Sequence, residues 1–256
     1  MSVFVRPLFG KIKLKDIKEF VAFYRLNGFS RIVLYTFNLN ETQSLASIRG
    51  VELVEHRIPK TIIDRIHSGG QISAIHHFLL SNIDNEQLFV DLDEFVFVRN
   101  SVNFMPMLFD SWVDVHFRNF SNSYASLNFR TQLFCDEMNF SQGSNSLILD
   151  RKIAQDPLFP FNIRSKMFLL NARSVHILQI HEVNSFYADE KNLCVPAEFG
   201  VIHHYRSCKY LEFETLLNNV NALNVSHHVS ETFVELSKLY NLRESIIELV
   251  NEINVF

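Results

Sequence analysis

Leu88-Phe89-Val90-Asp91-Leu92-Asp93-Glu94-Phe95-Val96-Phe97-Val98 is the stretch from which the fold is read. Apolar residues fill nearly every position, the pattern of a strand buried on both faces of a mostly parallel sheet. Three carboxylates interrupt it. Burying one unpaired carboxylate is costly, and three together raise one another's pKa values or lose their charge. A nearby cation keeps all three ionised at least cost. On an extended backbone Asp91 and Asp93 point to the same side. Two hard oxygen ligands so placed suit Mg²⁺ or Mn²⁺. The competing reading ends the strand at Val90 and makes residues 91–94 a solvated turn or helix cap. The apolar run that resumes at Phe95 favours the continuous strand.

The surrounding chain, 256 residues with 47% hydrophobic content, is long and apolar enough for one large domain, or one domain with a helical appendage. Its 25 phenylalanines and many asparagines read as compositional bias. A formal charge of -4 and a pI near 6.3 exclude a dedicated nucleic-acid binder, which carries a basic face. Cys135, Cys194 and Cys208 are widely spaced and odd in number, which argues against a disulfide framework or zinc site and for a reducing compartment. Arg6 and Pro7 break the first apolar run, no signal-peptide core follows Met1, and no 18-residue apolar stretch occurs. With Met1 as the native start, the expectation is a cytoplasmic protein, peripheral at most to the inner face of a membrane. Lys11, Lys13, Lys15 and Lys18 offer contact with anionic lipid, a solvated loop being the plainer reading.

From the N-terminus, residues 2–9 read as a strand and 10–15 as a basic loop, with Asp16 as N-cap of a helix that ends at Gly28. Residues 31–37 form a buried strand, 38–43 a polar loop, 44–49 a short helix and 51–57 the next strand. The alternation predicts an α/β sheet with crossover helices. Residues 59–70 form a loop or broken helix carrying Lys60, Asp64, Arg65 and His67, and a helix from Gln71 delivers the chain to the acidic strand. Ligands of such sheets collect beyond the carboxyl ends of the strands. Further on, 102–112 reads as helix, 113–120 as strand, 119–142 as irregular, and 174–180 and 200–206 as strands. Leu242, Ile246, Ile247, Leu249, Val250 and Ile253 line one face of a last helix, which packs within the protein or serves a homodimer contact. The boundaries are thus 1–210 for the α/β domain and 211–256 for a C-terminal helical extension.

Several pieces, taken in order, resemble glycosyltransferase family 92. Residues 19–28 followed by 31–35 are similar to its E-W-I-x-Y-H-x-x-x-G-V…F-x-I-Y-D opening, Gly70-Gln71 to its G-Q-x-x-A, and residues 88–95 to its F-x-D-x-D-E-F. Residues 165–170 resemble its K-S-I-V-R, Ile180-His181 its G-I-H, and His204-Tyr205-Arg206 with Lys209, Glu212 and Phe213 its closing H-Y-x-x-K-S-x-E-E-F. The set covers roughly residues 2–215.

The resemblance implies a GT-A-type fold: a nucleotide-binding mixed sheet flanked by helices, with a divalent metal held at D-x-D against a sugar diphosphate. It makes Asp93 a metal ligand, Asp91 a ribose or metal-shell contact, and His204 the late histidine ligand, with His181 second in line. Arg65, Gln71, Lys166 and Arg206 join Asp91 as donor-binding candidates, and Asp136 and Glu137 are the acids nearest the expected acceptor region, where a catalytic base is sought. By the same resemblance the activity is inverting transfer of a hexose, galactose first, from a UDP-sugar to a glycan such as a bacterial lipopolysaccharide, with Mn²⁺ or Mg²⁺. The alternative is an inactive nucleotide- or carbohydrate-binding module of the same fold. Two stretches depart from the family: residues 36–41 lack its D-N-x-S-x-D loop, and residues 121–145 do not align with it.

Overall fold

The computed structural model describes residues 1–8, 12–63, 70–83, 86–98, 109–116, 124–135, 147–148, 158–159, 161, 163–187, 189–206 and 245–252. Its first strand, β1 (Ser2–Leu8), is apolar on both faces, and parity divides the residues. Val3 and Val5 pack with Phe20 and Phe23 of helix α1 (Leu14–Leu26), whereas Phe4 packs with Phe78 of helix α4 (Gln71–Ser81). Strand β2 (Arg31–Thr36) repeats this, sending Ile32 and Leu34 one way and Val33 and Tyr35 the other. A strand sandwiched between helix layers must be apolar throughout, which is why the alternation of a one-sided sheet is missing. Several of the phenylalanines read as compositional bias, Phe20, Phe23 and Phe78 among them, fill these two layers.

Strand β3 (Val51–Glu55) lies beside β2, and β4 (Gln87–Val90) lies on the other side of β1, all parallel. Strands β6 (Tyr124–Phe129), β8 (Lys166–Leu169) and β11 (Lys191–Cys194) complete a seven-stranded sheet in the order β11-β6-β8-β4-β1-β2-β3. Only β8 runs against its neighbours. Strand β5 (Glu94–Val98) does not continue β4 in this sheet. It joins β12 (Gly200–Arg206) and β7 (Thr131–Cys135) in a second sheet, antiparallel to β12, while β12 runs parallel to β7. Strands β9 (Val175–Leu178) and β10 (Val183–Phe186) form a hairpin. The result is the mixed α/β sheet flanked by helices that was expected.

Several local expectations are corrected. The acidic stretch is two strands joined by a tight turn, with the Glu94 N–H donating to the Asp91 carbonyl at 3.0 Å. Helix α1 starts a turn earlier than Asp16, with Lys13 at its N-cap and Asp16 inside the first turn, where its charge favours the helix dipole. Gly28, at φ 88°, does end it. The loop expected at 38–43 holds helix α2 (Leu39–Thr42), followed by a 3₁₀ turn, Gln43–Ser47. Residues 113–116 belong to helix α5 (Phe109–His116), not a strand: Phe109 and Val113, four apart, are both buried, whereas Val115 is exposed. The stretch read as irregular contains β6 and β7.

Helix α3 (Lys60–Ile63) occupies the broken-helix segment. Residues 245–252 are helical, with Ile246 buried in the core layer that holds Val3 and Val5. The boundary expected near 210 lies outside the described residues. No described helix is long and apolar enough to cross a membrane.

Candidate active site

Strand β4 ends at Val90, and the turn that follows presents its acids at the carboxyl edge of the sheet, where α/β proteins bind ligands. The turn is clamped from three directions. The Asp91 N–H donates to Glu94 Oε2 at 2.7 Å, and the Tyr205 N–H of β12 donates to the Asp93 carbonyl at 2.8 Å. The Tyr24 hydroxyl, reaching from α1, donates to the Glu94 carbonyl at 2.8 Å.

Protein cations compensate the acids. Lys166, 2% exposed at the start of β8, places Nζ 3.1 Å from Asp91 Oδ2 and 3.2 Å from Glu94 Oε2. Arg6, at the end of β1, lies 3.3 Å from Asp91 Oδ1. His204 stands between the other two acids, Nε2 at 3.3 Å from Asp93 Oδ2 and Nδ1 at 3.4 Å from Glu94 Oε1.

The pKa directions follow from this geometry. Burial opposes the charge on Lys166, but Asp91 and Glu94 outweigh it and raise the ammonium. Glu94 is raised too, by burial first and by Asp91 second, with Lys166 offsetting only part. The two directions are compatible because one lysine serves two carboxylates. Asp93 is held below the usual carboxylate range: burial works against its ionisation, and His204 and then Arg6 overcome it. His181 is lowered to about 4 by burial and by the Lys166 charge; its Nδ1 lies 3.0 Å from the Ser165 carbonyl, and the Ser165 hydroxyl donates to the His181 carbonyl.

Among the sequence candidates, the structure brings together Asp91, Asp93, Lys166 and His204. The turn separates the two aspartates, so that Asp91 faces Lys166 and Arg6 while Asp93 faces His204. They do not share one side of an extended strand. Lys166, expected against a phosphate, is buried against the acids. Arg206 closes β12 near Arg164, whose guanidinium is lowered by burial and then by the Arg206 charge. Gln71 is buried at the start of α4, the crossover helix leading to β4. Arg65, Asp136 and Glu137 lie outside the described residues.

Sequence reasoning missed Arg6. A single charge at the carboxyl end of an all-apolar strand was the available signal. It lines a cavity of about 190 Å³ together with Pro7, Lys13, Asp16, Leu92 and Asp93.

Among the described residues no three His, Cys, Asp or Glu side chains are arranged to hold a metal ion. Asp93 and His204 nevertheless fit part of such a site. Asp93 is ionised, 33% exposed and open to the cavity, with an imidazole nitrogen beside it. A divalent ion held by one or two protein side chains draws its remaining ligands from substrate phosphates and water.

Fold and site thus define an α/β protein with a charged cluster at the carboxyl edge of its central sheet. The sequence profile of glycosyltransferase family 92 matches residues 87–244, more than half of the chain and the part that contains the cluster. The chain belongs to glycosyltransferase family 92, and it is an enzyme that takes a glycosyl donor and an acceptor. Among solved structures it is similar to a protein from Bacillus anthracis described as a glucose-1-phosphate thymidylyltransferase in complex with a sucrose. That match is 12% identical, covers 91% of this chain and 98% of the other, and has a TM-score of 0.42. A 4-diphosphocytidyl-2C-methyl-D-erythritol synthase from Anaerococcus prevotii is 10% identical over 87% of this chain and 98% of its own, with a TM-score of 0.37. No curated protein matches the sequence.

Proposed function

We propose that this glycosyltransferase uses a divalent metal, Mn²⁺ or Mg²⁺, and moves a hexose from a UDP-sugar to a carbohydrate acceptor with inversion. Galactose is the first donor sugar to test, and a surface polysaccharide or lipopolysaccharide the first acceptor. One observation carries the reading: Asp93, held below the usual carboxylate range, lines a cavity together with Arg6 and lies 3.3 Å from His204 Nε2. Asp93 and His204 would hold the ion. When bound, it would act as a Lewis acid on the departing diphosphate. Arg6 lines the same cavity and suits a donor phosphate oxygen; Arg206, at the end of β12, is the second candidate for that role. Lys166 lies against the acids, 3.1 Å from Asp91 and 3.2 Å from Glu94. Inverting transfer also needs a carboxylate to receive the acceptor hydroxyl proton, for which Asp136 and Glu137 are the candidates.

Thermal unfolding with UDP, GDP, CDP and ADP, each with Mn²⁺ and with EDTA, tests the donor class, because a ligand of the folded state raises Tm by mass action. A rise with UDP that requires Mn²⁺ is expected. Asp93→Ala should retain the fold and lose metal-dependent turnover by about 100-fold or more, the scale of a lost charge-stabilising group. Undiminished turnover in that variant removes the proposal.

A further inference from the structure

The sequence places Glu94 directly after the D-x-D pair, where its carboxylate can bond to the backbone of the turn. The structure shows that bond, and with it a second arrangement. Its two oxygens are divided between two parts of the cluster. Oε2 meets two donors, the Asp91 N–H at 2.7 Å and Lys166 Nζ at 3.2 Å. Oε1 faces His204 Nδ1 at 3.4 Å, and among the described residues that nitrogen has no hydrogen-bond partner of its own. Glu94 is 1% exposed and His204 is buried, so water does not readily substitute for either group.

To hold a metal ion His204 must be neutral, and a neutral imidazole carries its proton on one nitrogen only, the choice being set by what each nitrogen faces. With Oε2 occupied by the Asp91 N–H and the Lys166 ammonium, Oε1 is presented to Nδ1 as an acceptor and places the proton there. Nε2 is left with its lone pair, 3.3 Å from Asp93 Oδ2. Two acceptors then face one another, an arrangement suited to a cation at their shared edge.

We propose that Glu94 is a positioning residue. Through Oε2 it closes the turn that spaces Asp91 from Asp93. Through Oε1 it fixes His204 as the Nδ1–H tautomer and presents Nε2 beside Asp93. The inference rests on the metal-dependent reading above, since it is a divalent ion that Nε2 would meet. Histidines that bind metals commonly give their other N–H to a carboxylate, and losing that carboxylate weakens metal binding by about 10–100-fold.

Glu94→Gln separates this role from simple support of the fold, because an amide cannot serve both sides as the carboxylate does. The Oε2 position meets two donors, so the amide oxygen belongs there and keeps the turn closed. The amide NH₂ then faces Nδ1, which must accept, and the ring proton moves to Nε2. The substitution should therefore invert the tautomer within an intact fold.

Long-range ¹H–¹⁵N spectra of the ring nitrogens test this without metal, on the neutral imidazole and with His204→Asn for assignment. Electron paramagnetic resonance of Mn²⁺ alone measures affinity. The unsubstituted protein should show Nδ1–H, and Glu94→Gln should show Nε2–H with Mn²⁺ affinity reduced about 10–100-fold. An Nε2–H ring in the unsubstituted protein overturns the proposal even if Glu94→Gln does not fold. So does a Glu94→Gln protein whose tautomer is unchanged, or whose Mn²⁺ affinity stays within about twofold of the original, a change too small for a lost outer partner. Inversion in a protein that binds no Mn²⁺ supports the positioning role and counts against the metal reading.

Discussion

At the scale of single residues, Lys166 is the clearest case of a charge whose role depends on its surroundings. A lysine at the start of an apolar strand looks available to substrate, yet its ammonium lies between Asp91 and Glu94 and is almost wholly buried. Removing one partner of a buried ionic group leaves uncompensated charge, at a cost of about 3–5 kcal/mol. Lys166→Met keeps most of the volume and removes only the charge, so urea unfolding at neutral pH should show a loss of that size. An unchanged midpoint would mean that the acids are balanced by Arg6 and His204 alone, and would return Lys166 to the donor. The site was legible in the sequence to the extent that chemistry follows residue type. The pairing of Asp93 with His204 came from the family resemblance, and the structure places the two 3.3 Å apart. The division of Asp91 from Asp93 was hidden, because it arises from a backbone turn closed by the Glu94 side chain. Arg6 was hidden because its partner lies far along the chain.

Among the elements, β12 carries His204 and Tyr205 into the site, and its placement depends on its first residue. A Cβ built on Gly200 would stand 2.9 Å from Phe129 Cε1, 3.2 Å from Cδ1 and 3.4 Å from the Phe97 carbonyl oxygen. Phe129 is fully buried on β6 and has no room to retreat. Gly200→Ala should therefore destabilise the protein by about 1–3 kcal/mol, the usual cost of overpacking. Phe129→Leu should restore part of that loss, so a double-mutant cycle in chemical denaturation should give a favourable coupling. Strictly additive losses would mean that β12 shifts away from Phe129. Strands such as β1 and β2 were legible because strands buried on both faces are apolar without interruption. Strand β6 was not, because Ser126 and Asn128 are buried as polar residues, with Ser126 donating to Asn192 at 2.8 Å and Asn128 donating to the His181 carbonyl at 3.4 Å. Those partners lie 66 and 53 residues away, so no local pattern marks them.

For the whole molecule, the charged cluster ties stability to pH through groups that the fold holds away from their ordinary titration. His181 gives the cleanest window. Free histidine titrates near 6.5, but burial first and the Lys166 charge second keep this one neutral down to about 4. Between those values the unfolded chain binds a proton that the folded protein refuses, so acidification favours unfolding. The contribution of the neutral ring is therefore complete above about 6.5 and is lost as the pH falls toward 4. Glutamine can retain a donor to the Ser165 carbonyl and has no such proton to bind. The stability difference between the unsubstituted protein and His181→Gln should then move in favour of the variant by about 1 kcal/mol between neutral pH and pH 4.5, after discounting for the partial exposure of the ring. The carboxylates titrate in both proteins, so their effect cancels in the comparison. Urea unfolding curves for the pair across that range make the measurement, and parallel pH profiles would show that the fold does not hold the imidazole neutral.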